Sequence, residues 1–255
     1  MPIERSERLG KSRHSWGQEY LKKGMARTVF LFKKVAEHIP FEGSRFLDLG
    51  CGMANISIYC SRYFPYVVGL DLSANVLKAA KQNIKSQQAK GVNLINGDAL
   101  WLPFADETFD MVLTYDMYEH VWKQDDLLKE ICRVIKPRGF LVLTTGNRFF
   151  PLDRHTMLWF IDYLPKKLAN HYVRLMKKSS SYDVFQPTYW SLKKKIAKHF
   201  KIIMLDGNSA LDIMENVYRT YFRKYRTIIK ALRGFAKIGI FKFITPKFIV
   251  ISQKL

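Results

Sequence analysis

The stretch Arg45-Phe46-Leu47-Asp48-Leu49-Gly50-Cys51-Gly52-Met53-Ala54-Asn55 decides how the chain is read. A short, mostly apolar run reads as a strand, and the two glycines that follow mark a sharp turn into a helix. Glycine suits such a turn where a side chain would meet a ligand or force an unfavourable dihedral angle. Working outward, four more apolar runs follow: Tyr66–Asp71, Val92–Asn96, Phe109–Tyr115 and, after the turn Lys136-Pro137-Arg138-Gly139, residues 140–145. Helical stretches lie between most of them. Ser73 suits the N-cap of a helix to about Gln88. Asp125 or Asp126 is placed to open a helix whose Leu127, Leu128, Ile131 and Val134 share one face. Strands alternating with helices predict an α/β fold, a parallel sheet with helices on both faces.

On the N-terminal side, residues 18–38 read as a helix presenting Tyr20, Leu21, Val29, Phe30, Phe32 and Val35. Beyond residue 147 the pattern changes. Residues 148–200 are aromatic and basic without a clear strand, and read as a cap inserted after the fifth strand. Residues 201–205 read as a strand, 211–233 as an amphipathic helix and 248–251 as a terminal strand.

The chain has 255 residues, enough for one α/β domain with an elaboration and a core that needs no disulfide. Cys51, Cys60 and Cys132 are odd in number and lie at no metal-ligand spacing, so they read as reduced thiols, and no metal site is expected. The charged N-terminus lacks the apolar core of a signal peptide, and no apolar run is long enough to span a bilayer. The expected location is the cytoplasm, with peripheral contact at the inner membrane face. The net charge of +20 is uneven. Residues 1–150 hold 21 Lys and Arg against 16 Asp and Glu, a net of +5. Residues 151–255 hold 21 against 6, a net of +15. A regional excess of this kind suits an anionic partner: an acidic membrane surface, RNA or a phosphorylated substrate.

The chemistry-bearing residues sit at the carboxyl ends of the expected strands, the default ligand crevice of such sheets. Asp71 closes the second strand nineteen residues after Gly52, where a carboxylate can accept from both hydroxyls of a ribose. Gly97-Asp98-Ala99 follows the third, and Asp98 can accept from an adenine amino group. The fourth delivers Thr114-Tyr115-Asp116-Met117-Tyr118-Glu119-His120. A nicotinamide site would want a third glycine at position 55, which is Asn55.

Taken together, these motifs resemble the class I S-adenosylmethionine-dependent methyltransferases. The matching text is Leu47-Asp48-Leu49-Gly50-Cys51-Gly52, Gly69-Leu70-Asp71-Leu72-Ser73, and Gly97-Asp98-Ala99-Leu100-Trp101-Leu102-Pro103-Phe104. It continues through Phe109-Asp110, Glu119-His120-Val121, and Leu128-Lys129-Glu130-Ile131-Cys132-Arg133-Val134-Ile135-Lys136-Pro137-Arg138-Gly139. Within these methyltransferases the chain looks like the small-molecule branch that includes the ubiquinone and menaquinone biosynthesis methyltransferases. The resemblance implies a Rossmann-like, mostly parallel seven-stranded sheet whose antiparallel seventh strand is residues 248–251. It implies S-adenosylmethionine as cofactor. The turn of Asp48, Gly50, Cys51 and Gly52 would hold its methionine part, Asp71 and Leu72 its ribose, Asp98 and Ala99 its adenine, and the Tyr115 backbone its amino-acid end. The expected layout is an N-terminal helical lid over 1–44 and a methyltransferase domain over 45–255, with 148–200 as the acceptor-binding insertion.

Methyl transfer asks the protein chiefly for positioning, and an oxygen acceptor also needs a base. His120, His155 and Tyr182 are the candidates, with Asp153 nearby in the cap and His14 and Trp16 in the lid. Trp159, Phe160, Tyr163, Tyr172, Phe185, Tyr189 and Trp190 alternate with Lys and Arg. This mixture suits an apolar acceptor pocket, a membrane interface or single-stranded nucleic acid. Residues 235–244 are the clearest membrane-surface segment. The expected acceptor is a small or lipid-linked molecule methylated at oxygen or carbon. The alternatives are an RNA methyltransferase and a non-catalytic, cofactor-binding regulatory protein. No RNA-binding module is visible.

Overall fold

The computed structural model describes residues 17–207 and 243–255, with side chains from residue 24 onward. Seven strands form one sheet: β1 (Arg45–Leu49), β2 (Tyr66–Asp71), β3 (Val92–Asn96), β4 (Phe109–Tyr115), β5 (Ile135–Gly146), β6 (Phe200–Asp206) and β7 (Lys247–Lys254). Their spatial order is β3-β2-β1-β4-β5-β7-β6. The first five pair in parallel, and β7 runs antiparallel between β5 and β6. This is the expected Rossmann-like sheet with its reversed last strand.

The helices are α1 (Gly17–Ala36), α2 (Asn55–Cys60), α3 (Ala74–Ser86), α4 (Gln124–Val134), α5 (Lys166–Leu175) and α6 (Tyr189–Ile196). The period-2 alternation of the strands sorts their side chains onto two faces. Leu47, Val112, Leu141, Leu143 and Val250 face α4 and α6. Phe46, Met111, Leu113, Val142, Ile249 and Ile251 face α1 and α2. In α1 it is Leu31, Phe32 and Val35 that are buried, while Val29 and Phe30 are only half-buried.

Two local expectations need correction. Ser73 caps α3 as expected, accepting from the Val76 N–H. Asp125 and Asp126, however, lie inside the first turn of α4, and Lys123 occupies its cap position with no side-chain hydrogen bond. Acidic residues within a first turn still complement the helix dipole. The fifth strand also begins earlier than its apolar run. Ile135 pairs with Phe109 and Phe140 with Met111, so Lys136-Pro137-Arg138-Gly139 bulges between two paired stretches instead of ending a helix–strand turn.

Within 148–200 the structure is not uniform. Leu158, Ile161, Ala169, Val173, Tyr182 and Val184 form a small apolar cluster of their own. Leu192 and Ile196 of α6 instead join the core of the sheet. No helix among the described residues is long and apolar enough to cross a membrane. The amphipathic helix expected over 211–233, most of the 235–244 segment, and His14 and Trp16 lie outside the described residues.

Candidate active site

A cavity of about 600 Å3 opens at the carboxyl ends of β1, β2, β3 and β4. Its geometry starts with the turn after β1. Gly50 and Gly52 both have positive φ, at 77° and 53°. A β-carbon on Gly50 would come within 2.7 Å of Met117 Cγ, so position 50 needs glycine for both conformation and space. The Gly50 and Cys51 N–H groups both donate to the Leu70 carbonyl, at 2.7 and 3.0 Å, which ties the turn to β2.

Asp48 is buried, and its Oδ2 accepts from the Ser57 N–H (3.0 Å) and hydroxyl (2.6 Å). Ala54 at the cap position of α2 makes no side-chain hydrogen bond, so Asp48 supplies the acceptor that the helix start needs. Burial pushes the Asp48 carboxyl up to about 7, against the opposing pull of the Ser57 donors. Asp71 accepts the Gly52 N–H at Oδ2 and the Ser73 N–H at Oδ1, each at 2.9 Å. Asp98 accepts the Leu100 N–H at 2.9 Å, which shapes the loop after β3.

Asp48, Gly50, Cys51, Gly52, Asp71, Leu72, Asp98, Ala99 and Tyr115 all line this one cavity. Of the three base candidates, His120 lines it too. Tyr182 does not: it is buried in the cap cluster and its hydroxyl donates to Asp162 at 2.6 Å. Burial and the neighbouring carboxylates of Asp153 and Asp162 raise its pKa far above that of an ordinary phenol. His155 stands behind His120, outside the cavity lining. Asp153 is buried and structural in its bonding, accepting from the His155 N–H and from the Thr156 N–H and hydroxyl.

Further residues line the cavity; Arg27, Thr28, Trp122 and Asp183 were not singled out in the sequence, whereas Phe185 was among the aromatic residues expected at an acceptor pocket. Arg27 and Thr28 reach the cavity from α1, and Met117, Val121, Trp122, Asp183 and Phe185 complete its lining. Phe185 is held there because its N–H donates to the Glu119 carbonyl (2.7 Å) and its carbonyl accepts from Gln124 Nε2 (2.7 Å). Asp116 lines the floor and is held by Lys247 and Arg154. Its position just past β4 was the sole hint, since its cationic partners lie far along the chain.

Residues 47–143 match the family model described as a methyltransferase domain. Residues 47–143 thus form a methyltransferase domain. A demethylmenaquinone methyltransferase of Bacillus cereus is 40% identical over 156 residues, covering 60% of this chain and 66% of that protein. One from Bacillus anthracis aligns to the same extent and identity. The chain thus spans just under two thirds of the length of these curated relatives. Among solved structures, an S-adenosylmethionine dependent methyltransferase from Mesorhizobium loti aligns with a TM-score of 0.61 at 14% identity, covering 88% of this chain and 97% of that one. The cyclase SpnF aligns with a TM-score of 0.57 at 18% identity, covering 87% and 79%. At such identities the likeness is one of fold, and a fold does not dictate its chemistry.

Proposed function

We propose that this protein transfers a methyl group from S-adenosylmethionine to oxygen or carbon of a small-molecule or lipid-linked acceptor. The observation that carries this reading is the shared cavity. The nine residues whose cofactor roles are implied by their motifs line it together with Met117, His120, Val121, Trp122 and Phe185. The cofactor supplies an activated methyl group. The residues of the chain then hold the two reactants in line, an effect that can contribute ~7–11 kcal/mol. His120 is the residue placed to take a proton from an acceptor hydroxyl. In this reading α1 acts as a lid through Arg27 and Thr28, and the acceptor-binding part of the insertion is 148–188.

We further propose that the acceptor is reached at an acidic membrane surface. Leu168 and Leu175 lie two turns apart on the outer face of α5 and are exposed, while Ala169 and Val173 are buried on its inner face. Trp159, Phe160 and Tyr163 are exposed in the stretch before α5, Lys166, Lys167 and Arg174 lie within the helix, and Lys177 and Lys178 follow it. Apolar side chains bracketed by lysine and arginine suit an anionic lipid interface. The Lys193-Lys194-Lys195 run contributes less than its charge suggests, because Lys195 pairs with Asp125 at 3.0 Å.

The test is transfer of labelled methyl from S-adenosylmethionine into a fractionated cell extract, with Gly50→Arg as the inactive control. Label in the lipid or small-molecule fraction supports the proposal. Label in RNA assigns the basic face to nucleic acid instead. No label, with cofactor binding intact, points to a regulatory protein.

A further inference from the structure

His120 and His155 are far apart in sequence, and the fold sets their rings edge to face with centroids 4.7 Å apart. Glu119 lies beside both, its carboxylate fully buried. Among the described residues, neither of its oxygens has a hydrogen-bond donor within reach. The near approach is His155 Nε2, 3.6 Å from Oε1. A buried carboxylate whose near donor stands at 3.6 Å is thinly satisfied, and a shared cation would complete it. One ligand atom from each of the three side chains lies within 4.8 Å of the other two. The 3.6 Å separation is long for a hydrogen bond. It is close to the ~3.4 Å expected between an imidazole nitrogen and a carboxylate oxygen that share one tetrahedral zinc ion.

We propose that Glu119, His120 and His155 bind one divalent transition-metal ion of the zinc type. Two imidazoles and one carboxylate form a three-ligand set that leaves a fourth position open, as in catalytic zinc sites. The ligand set, one carboxylate and two imidazoles, selects the class of ion. Arg154 and Lys247 act electrostatically on Glu119, and both already share Asp116 as counter-ion. A hard cation such as magnesium, which prefers oxygen ligands, would meet that field with too few oxygens. Zinc or cobalt, which favour imidazole nitrogen, bind chiefly through the two histidines and depend less on carboxylate oxygens. His120 also lines the cavity, so the ion would border the acceptor space. Resting on the methyl-transfer reading above, its role would be to polarise an acceptor oxygen and ease loss of its proton, in place of the base role that a metal-free His120 would have. The binding itself does not depend on that reading.

The test uses the tag-free full chain, stripped with a chelator and titrated with zinc or cobalt alone. Bound metal is counted after desalting, the cobalt visible spectrum is recorded, and S-adenosylmethionine affinity is measured on the same samples. The expected result is one equivalent per chain with a four-coordinate cobalt spectrum, lost in Glu119→Gln and in His155→Gln. The His155 side chain is partly exposed, at 21%, so His155→Gln keeps the test available even if the buried Glu119 variant fails to fold. Absence of a stoichiometric ion in folded, cofactor-binding protein overturns the metal site and leaves the methyltransferase reading standing. Retention of the ion by His155→Gln overturns the site as well. Loss of cofactor binding alone, with the metal held, overturns the functional reading instead.

Discussion

Asp116 and Lys247 stand 131 positions apart in the chain and meet with their charged atoms 2.7 Å apart. Asp116 follows β4 in a left-handed conformation, and Lys247 opens β7. Arg154 Nη2 reaches the same carboxylate at 2.9 Å, and the Lys247 ammonium sits 3.8 Å from the centre of the Tyr115 ring. Burial alone would raise the Asp116 pKa. The two cations outweigh that and hold it far below the usual carboxylate range, while burial pushes Lys247 down to about 8.

Removing this carboxylate strands two cations at the floor of the site. Asp116→Asn should therefore destabilise the protein by about 3–5 kcal/mol, the range for breaking a buried ion pair from one side. Urea denaturation at neutral pH measures it. A loss under about 1 kcal/mol would mean that solvent reaches the cluster and screens it.

Asp48 gives a pH signature. Its folded-state pKa of about 7 exceeds its ordinary value of 3.8, so between those limits the native state holds a proton that the unfolded chain has released. Stability from this group is therefore present at low pH, falls as pH rises through that window and is level above it. The full loss is bounded at about 4 kcal/mol. Asp48→Asn keeps an acceptor for Ser57 and has no proton to lose. The stability difference between wild type and variant, followed by melting of cofactor-free protein from acid to neutral pH, should move against the wild type. A constant difference would assign the slope to other groups.

Asp71 spends one acceptor position of each oxygen on Gly52 and Ser73, which aims the carboxylate into the cavity with lone pairs to spare. Asp71→Ala should weaken S-adenosylmethionine binding about 10- to 100-fold, the worth of one or two hydrogen bonds to a charged group. Calorimetric titration reads this directly, with circular dichroism confirming the fold. Unchanged affinity would remove the ribose role.

The outer face of α5 is tested by vesicles. Burying a leucine at a lipid interface contributes on the order of 1 kcal/mol when it starts half-exposed. Leu168→Glu combined with Leu175→Glu should lower co-sedimentation with anionic phospholipid vesicles about 10- to 30-fold. Equal sedimentation of both proteins would return that face to ordinary solvated surface.

What the sequence by itself determined is local in origin. The bounds of β3 and β4, the Ser73 cap and the glycine turn after β1 follow from apolar periodicity and turn chemistry within a few residues. So does the placing of Asp48, Asp71 and Asp98, because parallel strands deliver their carboxyl ends to one edge and so bring the residues that follow them together. The Lys136–Gly139 bulge was not legible, because a proline–glycine turn and a bulge share residues and differ in what pairs on either side. The tertiary structure alone decided the rest. It set Tyr182 against Asp162 and away from the cavity, brought His155 to the Glu119–His120 pair, and returned Lys247 to Asp116. These meetings depend on the antiparallel return of β7 and on how the insertion folds back over β4. Such contacts are set by packing and charge between distant segments, and no spacing along the chain encodes them.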